Sequence, residues 1–512
     1  MSKKLTRSAL TFSAMTFISR ILGFARDVTV AHIFGASGLT DAFFVAFKIP
    51  NFMRRLFAEG AFSQAFVPLL SEYKTKHTAT DMKLFIDHVA GTLAGVLFIF
   101  TVVAILLAPW IIHLFSPGFG GSGMRFDMAT TMLRITFPYI FFISLTAFAG
   151  GILNTEGHFA GPAITPVFLN IVMIIAAFMS ATFFNPPILG LAVGVAVAGF
   201  VQWLFQFPFL KRYEVVPRYR WGWSDPGVKR LLKLMLPALF GVSVSQIGLL
   251  LTTIFASYLQ EGSITWLYNS ERLIEFPLGV FGVAISTVIL PHLSKNHASE
   301  SHEEYSRTLD WALRMVLLIG IPSALGLMLL AKPLMITFFN YGLYSRFDVI
   351  MSSESLMAYA IGVPCMMLLK ILASAFYGKQ NIKTPVKVAA ITLAVTLLFN
   401  FIFIFSLKHV GLALAASLGA TVNSVLLLII LLKKNIYIPQ QGWKLFFTKL
   451  VGANGLLIIA LLPTYVFSDM FFGYHALHRV LGLSFVIAGA GIIYMGMLYL
   501  MKFRFHNLKG EI

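Results

Sequence analysis

Lys48, Arg54, Arg55 and Glu59 fall within AFKIPNFMRRLFAEGAF (residues 46–62), a stretch that reads as a helix with apolar flanks. Further charges stand in comparably apolar surroundings: Arg20, Arg26 and Asp27 upstream, Asp41 just before the quoted stretch, and Glu271, Arg272 and Glu275 far downstream. Ionisable residues at membrane depth cost roughly 2.5–3.5 kcal/mol each on insertion scales, so they face a protein interior or a water-filled cavity. Arginine holds phosphate through paired hydrogen bonds, and several arginines lining one cavity predict an anionic substrate, with diphosphate a natural candidate. Arg272 and Glu275 are i, i+3 neighbours, and Arg55 and Glu59 are i, i+4. Pro50 stands one turn before Arg54 and is placed to kink that helix. Arg20 and Arg26, six residues apart, differ by about 120° around an α-helix, so they can line a wide cavity but not one narrow stripe. Lys48, Arg55 and Glu59 fit equally well as mutually paired or snorkelling residues that support the others.

The elements that carry these charges follow from composition. The chain has 512 residues, 58% hydrophobic and only 12% charged, against about one-quarter charged in soluble domains. Apolar stretches able to span a bilayer as helices recur throughout. The expected fold class is an all-α polytopic membrane protein with fourteen helices, near 8–34, 39–72, 84–114, 130–154, 162–184, 187–210, 227–259, 263–294, 306–330, 351–377, 385–407, 411–432, 446–468 and 477–501. The N-terminus resembles a signal peptide for a few residues. Arg20 and Arg26 then interrupt the apolar run, which points to an uncleaved first helix.

The net charge of +18 reads first as membrane topology rather than nucleic-acid binding. Assigned to alternate loops, 23 Lys and Arg fall on the side of the two termini and 4 on the other. The positive-inside rule then places both termini in the cytoplasm and supports an even number of helices. The single cysteine, Cys365, excludes an intramolecular disulfide and suggests no metal site. No H-E-x-x-H, no G-x-x-x-x-G-K-[ST] and no paired-carboxylate motif is present, so no catalytic residues are assigned. GFGGSGM (118–124) follows no strand and reads as an outer loop.

A shift of about 223 residues aligns VPLLSEYK (67–74) with LPHLSKNH (290–297), and Pro162 with Pro385. GLAVGVAVAG (190–199) then meets GLALAASLGA (411–420) with a two-residue slip. Three matches in order predict two pseudo-symmetric six-helix lobes, residues 1–215 and 216–440, with residues 441–512 forming two extra helices. Six is even, so both lobes insert alike, as in transporters that hold substrate between halves and alternate access by rocking. The charges concentrate on the first two helices of each half.

SRILGFARD (19–27), TDAFFVAFKIPNFMRRLFAEGAFSQAFVPLLSEY (40–73) and ERLIEFPLGVFGVA (271–284) resemble the MurJ/MviN family of lipid II flippases, within the multidrug/oligosaccharidyl-lipid/polysaccharide exporter superfamily. The resemblance covers the whole chain. It implies two lobes in a V around a cationic cavity, with the last two helices forming a groove for a lipid tail. It implies that Arg20, Arg26, Arg54 and Arg272 are the required arginines, and Asp41 and Glu275 the required acids. The implied substrate is undecaprenyl-diphosphate carrying a disaccharide-pentapeptide, moved from the inner to the outer leaflet of the bacterial cytoplasmic membrane. Arg272–Glu275 and Asp41 are expected to exchange partners as access alternates. The implied partners are lipid II, membrane lipids and the cell-wall synthesis machinery, with a monomeric protein, no cofactor and no nucleic acid. Membrane potential and an ion stand as alternative energy sources; no acidic cluster in the seventh, eleventh and twelfth helices marks a sodium site, and Asn400 and Asn423 suit interhelical hydrogen bonds. Rival readings are export of another polyprenyl-diphosphate-linked oligosaccharide, a membrane-embedded lipid-phosphate enzyme, and a scaffold.

Overall fold

The computed structural model describes residues 3–299 and 301–503; the side chains of 3–14, 57–59, 238, 240–245 and 249 are outside that description, and with them the side chain of Glu59. Among the described residues every regular element is helical. In hydrocarbon each backbone N–H and C=O must find a partner within the protein, which a helix provides from its own chain. Each of the fourteen predicted stretches is occupied by helix. Ten helices among the described residues are long and apolar enough to cross a membrane by length and composition. They present large apolar side chains outward, among them Phe98, Leu106, Phe405, Phe485 and Tyr499.

Several predicted spans are built from more than one piece. Residues 124–155 comprise Met124–Thr136 and Pro138–Thr155. The helix Lys383–Lys433 contains a reversal at Lys408, whose φ is 49° and ψ −128°. Gly411 allows the chain to fold back there: a Cβ at that position would stand 2.6 Å from the Phe403 carbonyl oxygen. The second half of that hairpin then packs on Arg346–Gly378, with Ser417 Oγ donating to the Ala358 carbonyl at 2.8 Å and Ser424 Oγ to that of Cys365 at 2.6 Å.

The α-helical pitch breaks at two places. Gly38–Met53 passes without interruption into a π-helix, Arg54–Phe62, and then into Ser63–Lys76. Ser263–Pro277 passes likewise into a π-helix, Leu278–Gly282, and then into Val283–Ala298. Under the repeat offset of about 223 residues, Leu278–Gly282 falls inside Arg54–Phe62. The ladder in such a segment runs i→i+5, and these wide turns occur frequently at functional sites.

The chain divides into two compact units, residues 1–264 and 265–512. This boundary lies beyond the 215/216 position suggested by the repeat, because Pro226–Ser257 packs on Arg54–Phe62 and Ser63–Lys76 in the first unit. A repeat marks similarity of sequence and a compact unit marks contact, so the two boundaries answer different questions. The core of the first unit gathers Phe62, Phe66, Phe85 and Phe148, with Phe62 and Phe66 stacked at 4.9 Å between centroids.

In the second unit the last two long helices, Trp443–Val466 and Ala476–Leu500, are held at both ends. At one end Asp310 pairs with Arg314 at 2.7 Å and accepts from Tyr437 Oη (2.6 Å), Trp443 Nε1 (2.7 Å) and the Gln440 amide (3.1 Å). The Arg314 guanidinium lies 4.9 Å from the Trp443 ring centroid and donates to the Gln441 carbonyl at 2.8 Å. At the other end Arg479 donates to the carbonyls of Tyr474, Ile336, Asn340 and Phe472 at 2.9–3.3 Å. Midway, Tyr494 Oη donates to the Leu318 carbonyl at 2.7 Å. Removing one partner of a buried ion pair costs about 3–5 kcal/mol. Asp310→Ala is therefore expected to lower stability by about 3 kcal/mol or more, read as a lower melting temperature in detergent, with Asp310→Asn losing less.

Candidate functional site

Arg20, Arg26, Asp41, Lys48, Arg54 and Arg55 lie in the first compact unit, and Arg272 and Glu275 in the second. Arg26 sits on the helix Lys3–Phe34 and is 6% exposed. Its Nε and Nη2 donate to Asp27 Oδ1 at 2.9 and 2.7 Å, and its Nη1 to Asn170 Oδ1 at 3.1 Å. Asn170 Nδ2 in turn donates to the Ser19 carbonyl at 3.0 Å, so this side chain ties Ala160–Phe183 to the first helix. The guanidinium also stands 5.7 Å from the Phe47 ring centroid. Arg26 is thus a fixed, charge-balanced group, whereas Arg20 on the same helix is exposed.

Gly38–Met53 opens with Ser37 accepting from the Thr40 amide as N-cap. Asp41 in its first turn is fully buried, and its Oδ2 accepts from the Gly262 amide at 2.7 Å. Glu261 Oε2 accepts from the Gly38 amide at 3.2 Å. These reciprocal bonds fasten the start of this helix to the turn that follows Pro226–Ser257, at a place where a Cβ on Gly38 would meet the Glu261 carboxyl at 2.7 Å. Further along, Lys48 Nζ donates to Thr253 Oγ1 at 3.2 Å, and Arg54 Nε to Asn51 Oδ1 at 2.9 Å.

Arg54 and Arg55, both half-buried, occupy the first two positions of the π-helix. The helix continues past Pro50, and the change of pitch begins one turn later. The i, i+4 relation of Arg55 to Glu59 assumed α-helical turns. In this segment the backbone ladder is i→i+5 instead, so α-helical spacing does not set which residues stand above one another.

In the second unit, Arg272 Nη1 donates to Glu275 Oε2 at 2.5 Å, with the side chains 25% and 43% exposed. Both residues stand on Ser263–Pro277, just before the second π-helix. That helix is anchored by Trp266 Nε1 on Asp348 Oδ1 (2.9 Å) and by Ser270 Oγ on the Ser352 carbonyl (2.7 Å). The pair is fixed in place yet reaches solvent-accessible surface.

Asn170, Thr253 and Asn51 hold three of the expected cations and escaped the reading of the sequence. A lone asparagine in the apolar run PVFLNIVM was the visible sign of the first. Among the described residues no group of three His, Cys, Asp or Glu side chains gathers as a metal site would require.

These features define a multi-pass helical membrane protein with buried charge organised on specific helices, and the wider fold is that of a transporter. An inward-facing multidrug transporter of the MATE family, in the MOP superfamily, has TM-score 0.68 at 15% identity, covering 83% of this chain and 98% of that one. A structure described as "Lipid II flippase MurJ, inward closed conformation" has TM-score 0.79 at 28% identity, covering 97% of this chain and all of that one. A family model described as "Lipid II flippase MurJ" matches residues 30–500. The "Probable lipid II flippase MurJ" of Vibrio cholerae is 44% identical over 99% of this chain and 98% of its own length. The "Lipid II flippase MurJ" of Burkholderia cenocepacia is also 44% identical, over 98% of each chain. The chain belongs to the MurJ family.

The arginines of the first helix separate by burial. Arg20→Ala is expected to leave stability within about 0.5 kcal/mol, as surface substitutions do. Arg26→Ala leaves Asp27 buried without its guanidinium and is expected to cost about 3–5 kcal/mol. Thermal unfolding of the two purified variants checks this, and equal melting temperatures would contradict it.

Proposed function

We propose that this chain is a lipid II flippase, moving the undecaprenyl-diphosphate-linked peptidoglycan precursor from the inner to the outer leaflet of the bacterial cytoplasmic membrane by alternating access. The observation that carries the reading is similarity to lipid II flippases along nearly the whole chain. The buried charges give it a physical basis. A diphosphate sugar head group cannot cross hydrocarbon without a hydrated, cationic path, while a polyprenyl tail can stay in lipid.

In this reading Arg20, Arg54 and Arg272 contact the diphosphate, because exposed or half-buried guanidinium groups can add a phosphate oxygen to the bonds they already make. Arg26 contributes through the Asp27–Asn170 network, fixing the first helix in position. Asp41 and Glu275 act in the switch: Asp41 holds the turn at Gly262, Glu275 holds Arg272, and exchange of these partners accompanies the change of access. Lys48, Arg55 and Glu59 support the local field. Residues 1–215 and 216–440 form the two halves of the transport cycle, and 441–512 a groove for the lipid tail.

Both termini are cytoplasmic, following the loop charges. The protein works as a monomeric transporter rather than an enzyme, beside the cell-wall synthesis machinery. Each net charge carried across the membrane couples the cycle to the potential at ~2.3 kcal/mol per 100 mV.

The test is translocation of fluorescent lipid II by the purified protein in liposomes. Arg272→Ala is expected to slow it at least ~10-fold, corresponding to about 1.4 kcal/mol of lost interaction, with an unchanged melting temperature. No translocation by the intact protein would sink the function. Undiminished translocation by the variant would remove Arg272 from the substrate path.

A further inference from the structure

The segment after the helix Leu189–Arg212 does not leave the protein surface. It lies extended along the helix Ala79–Leu106 and is stitched to it. The Arg218 amide donates to Asp87 Oδ1 at 2.8 Å, the Arg220 amide to the Asp87 carbonyl at 3.2 Å, and the Gly222 amide to Thr92 Oγ1 at 3.0 Å. Lys83 Nζ donates to the Val216 carbonyl at 2.7 Å and pairs with the 4%-exposed Asp87 at 2.5 Å. The approach is too close for side chains at the glycines: a Cβ on Gly91 would lie 2.1 Å from the Arg220 carbonyl oxygen, and one on Gly222 would lie 2.3 Å from His88 Cβ. The backbone of this segment is thus committed to the helix, while the Arg218 and Arg220 side chains are exposed.

Between the segment and the start of that helix is an open cavity of about 570 Å³, lined by Lys83, Lys211, Arg218 and Arg220 together with Asp87 and Glu214. Four cations face two carboxylates, and one carboxylate is already neutralised by Lys83. Among the described residues Lys211, Arg218 and Arg220 form no ion pair. Next to the cavity, Trp221 and Trp223 stack at 6.1 Å between centroids and are 60% and 48% exposed. Trp221 rests on Gly95, where a Cβ would meet its ring at 2.6 Å. Beyond the rings, the same helix exposes Val96, Phe98 and Ile99. Cationic groups, then aromatic rings, then an apolar helix face is the order met on passing from water through the headgroup layer into hydrocarbon.

We propose that this cavity binds the phosphodiester head group of an anionic glycerophospholipid, with Arg218, Arg220 and Lys211 on the phosphate and the acyl chains beside Trp221 and Trp223. Basic pockets at the membrane surface hold anionic head groups in this manner. The apolar continuation past the two rings favours a lipid over a free anion, which would leave the aromatic edge without a role. The binding itself rests on the cavity alone; that the lipid belongs to the cytoplasmic leaflet rests on the orientation proposed above.

The test reconstitutes the full chain in nanodiscs of brominated phosphatidylcholine, with or without brominated phosphatidylglycerol at the same bromine density. The share of fluorescence quenching due to Trp221 and Trp223 is obtained by comparison with Trp221→Phe/Trp223→Phe. That share is expected to rise roughly twofold with the anionic lipid. The rise should vanish in Lys211→Gln/Arg218→Gln/Arg220→Gln, with quenching in phosphatidylcholine unchanged as the sign of an intact fold. Equal quenching in the two lipids, or a rise that survives the triple substitution, overturns the proposal. Abolition of the rise by millimolar inorganic phosphate also overturns it, by making the cavity a site for free anions. Nanodiscs expose both faces, so a reversed orientation would leave the lipid preference intact.

Discussion

A guanidinium placed among apolar helices must be answered by a carboxylate or by carbonyl oxygens, because water is not there to do it. Much of this structure is organised by that demand. Arg26 is answered by Asp27 and Asn170, and the answer draws two helices of the first unit together. Arg314 is answered by Asp310, which also collects three further donors. Arg479 is answered by four carbonyls, two from Phe472 and Tyr474 just before its own helix and two from Ile336 and Asn340. Without these charges the apolar helices would still associate, but hydrocarbon contacts alone discriminate poorly between one helix neighbour and another.

The same demand separates the roles of charges that look alike in the sequence. A paired and buried arginine sets geometry. One that is exposed or only partly buried stays accessible from outside the packing, and Arg20 and Arg272 are of that kind. Burial thus divides arginines of one type between fixing the packing and staying within reach from outside it.

The helical fold and its segments were legible in the sequence because length and hydrophobicity carry them. So were the Arg272–Glu275 pair, given by i, i+3 spacing, and the break between residues 407 and 411, where one predicted helix ends and the next begins. The π-helical turns were not legible, since one change of ladder leaves composition and periodicity nearly untouched. The partners of Arg26 and Asp41 were also hidden: Asn170 lies 144 residues from Arg26, and Gly262 lies 221 from Asp41. Pairings at that separation are products of packing. The compact boundary at 264/265 was hidden for the same reason, as it depends on which neighbours the helix Pro226–Ser257 selects.

The last two long helices are attached to the second unit near both of their ends, through Arg314 and Arg479. A single attachment would be a pivot, about which the pair could swing in the plane of the bilayer like a gate on one hinge. Two attachments, one at each end, remove that freedom and make the pair a passenger. The second unit and these helices therefore move as one body.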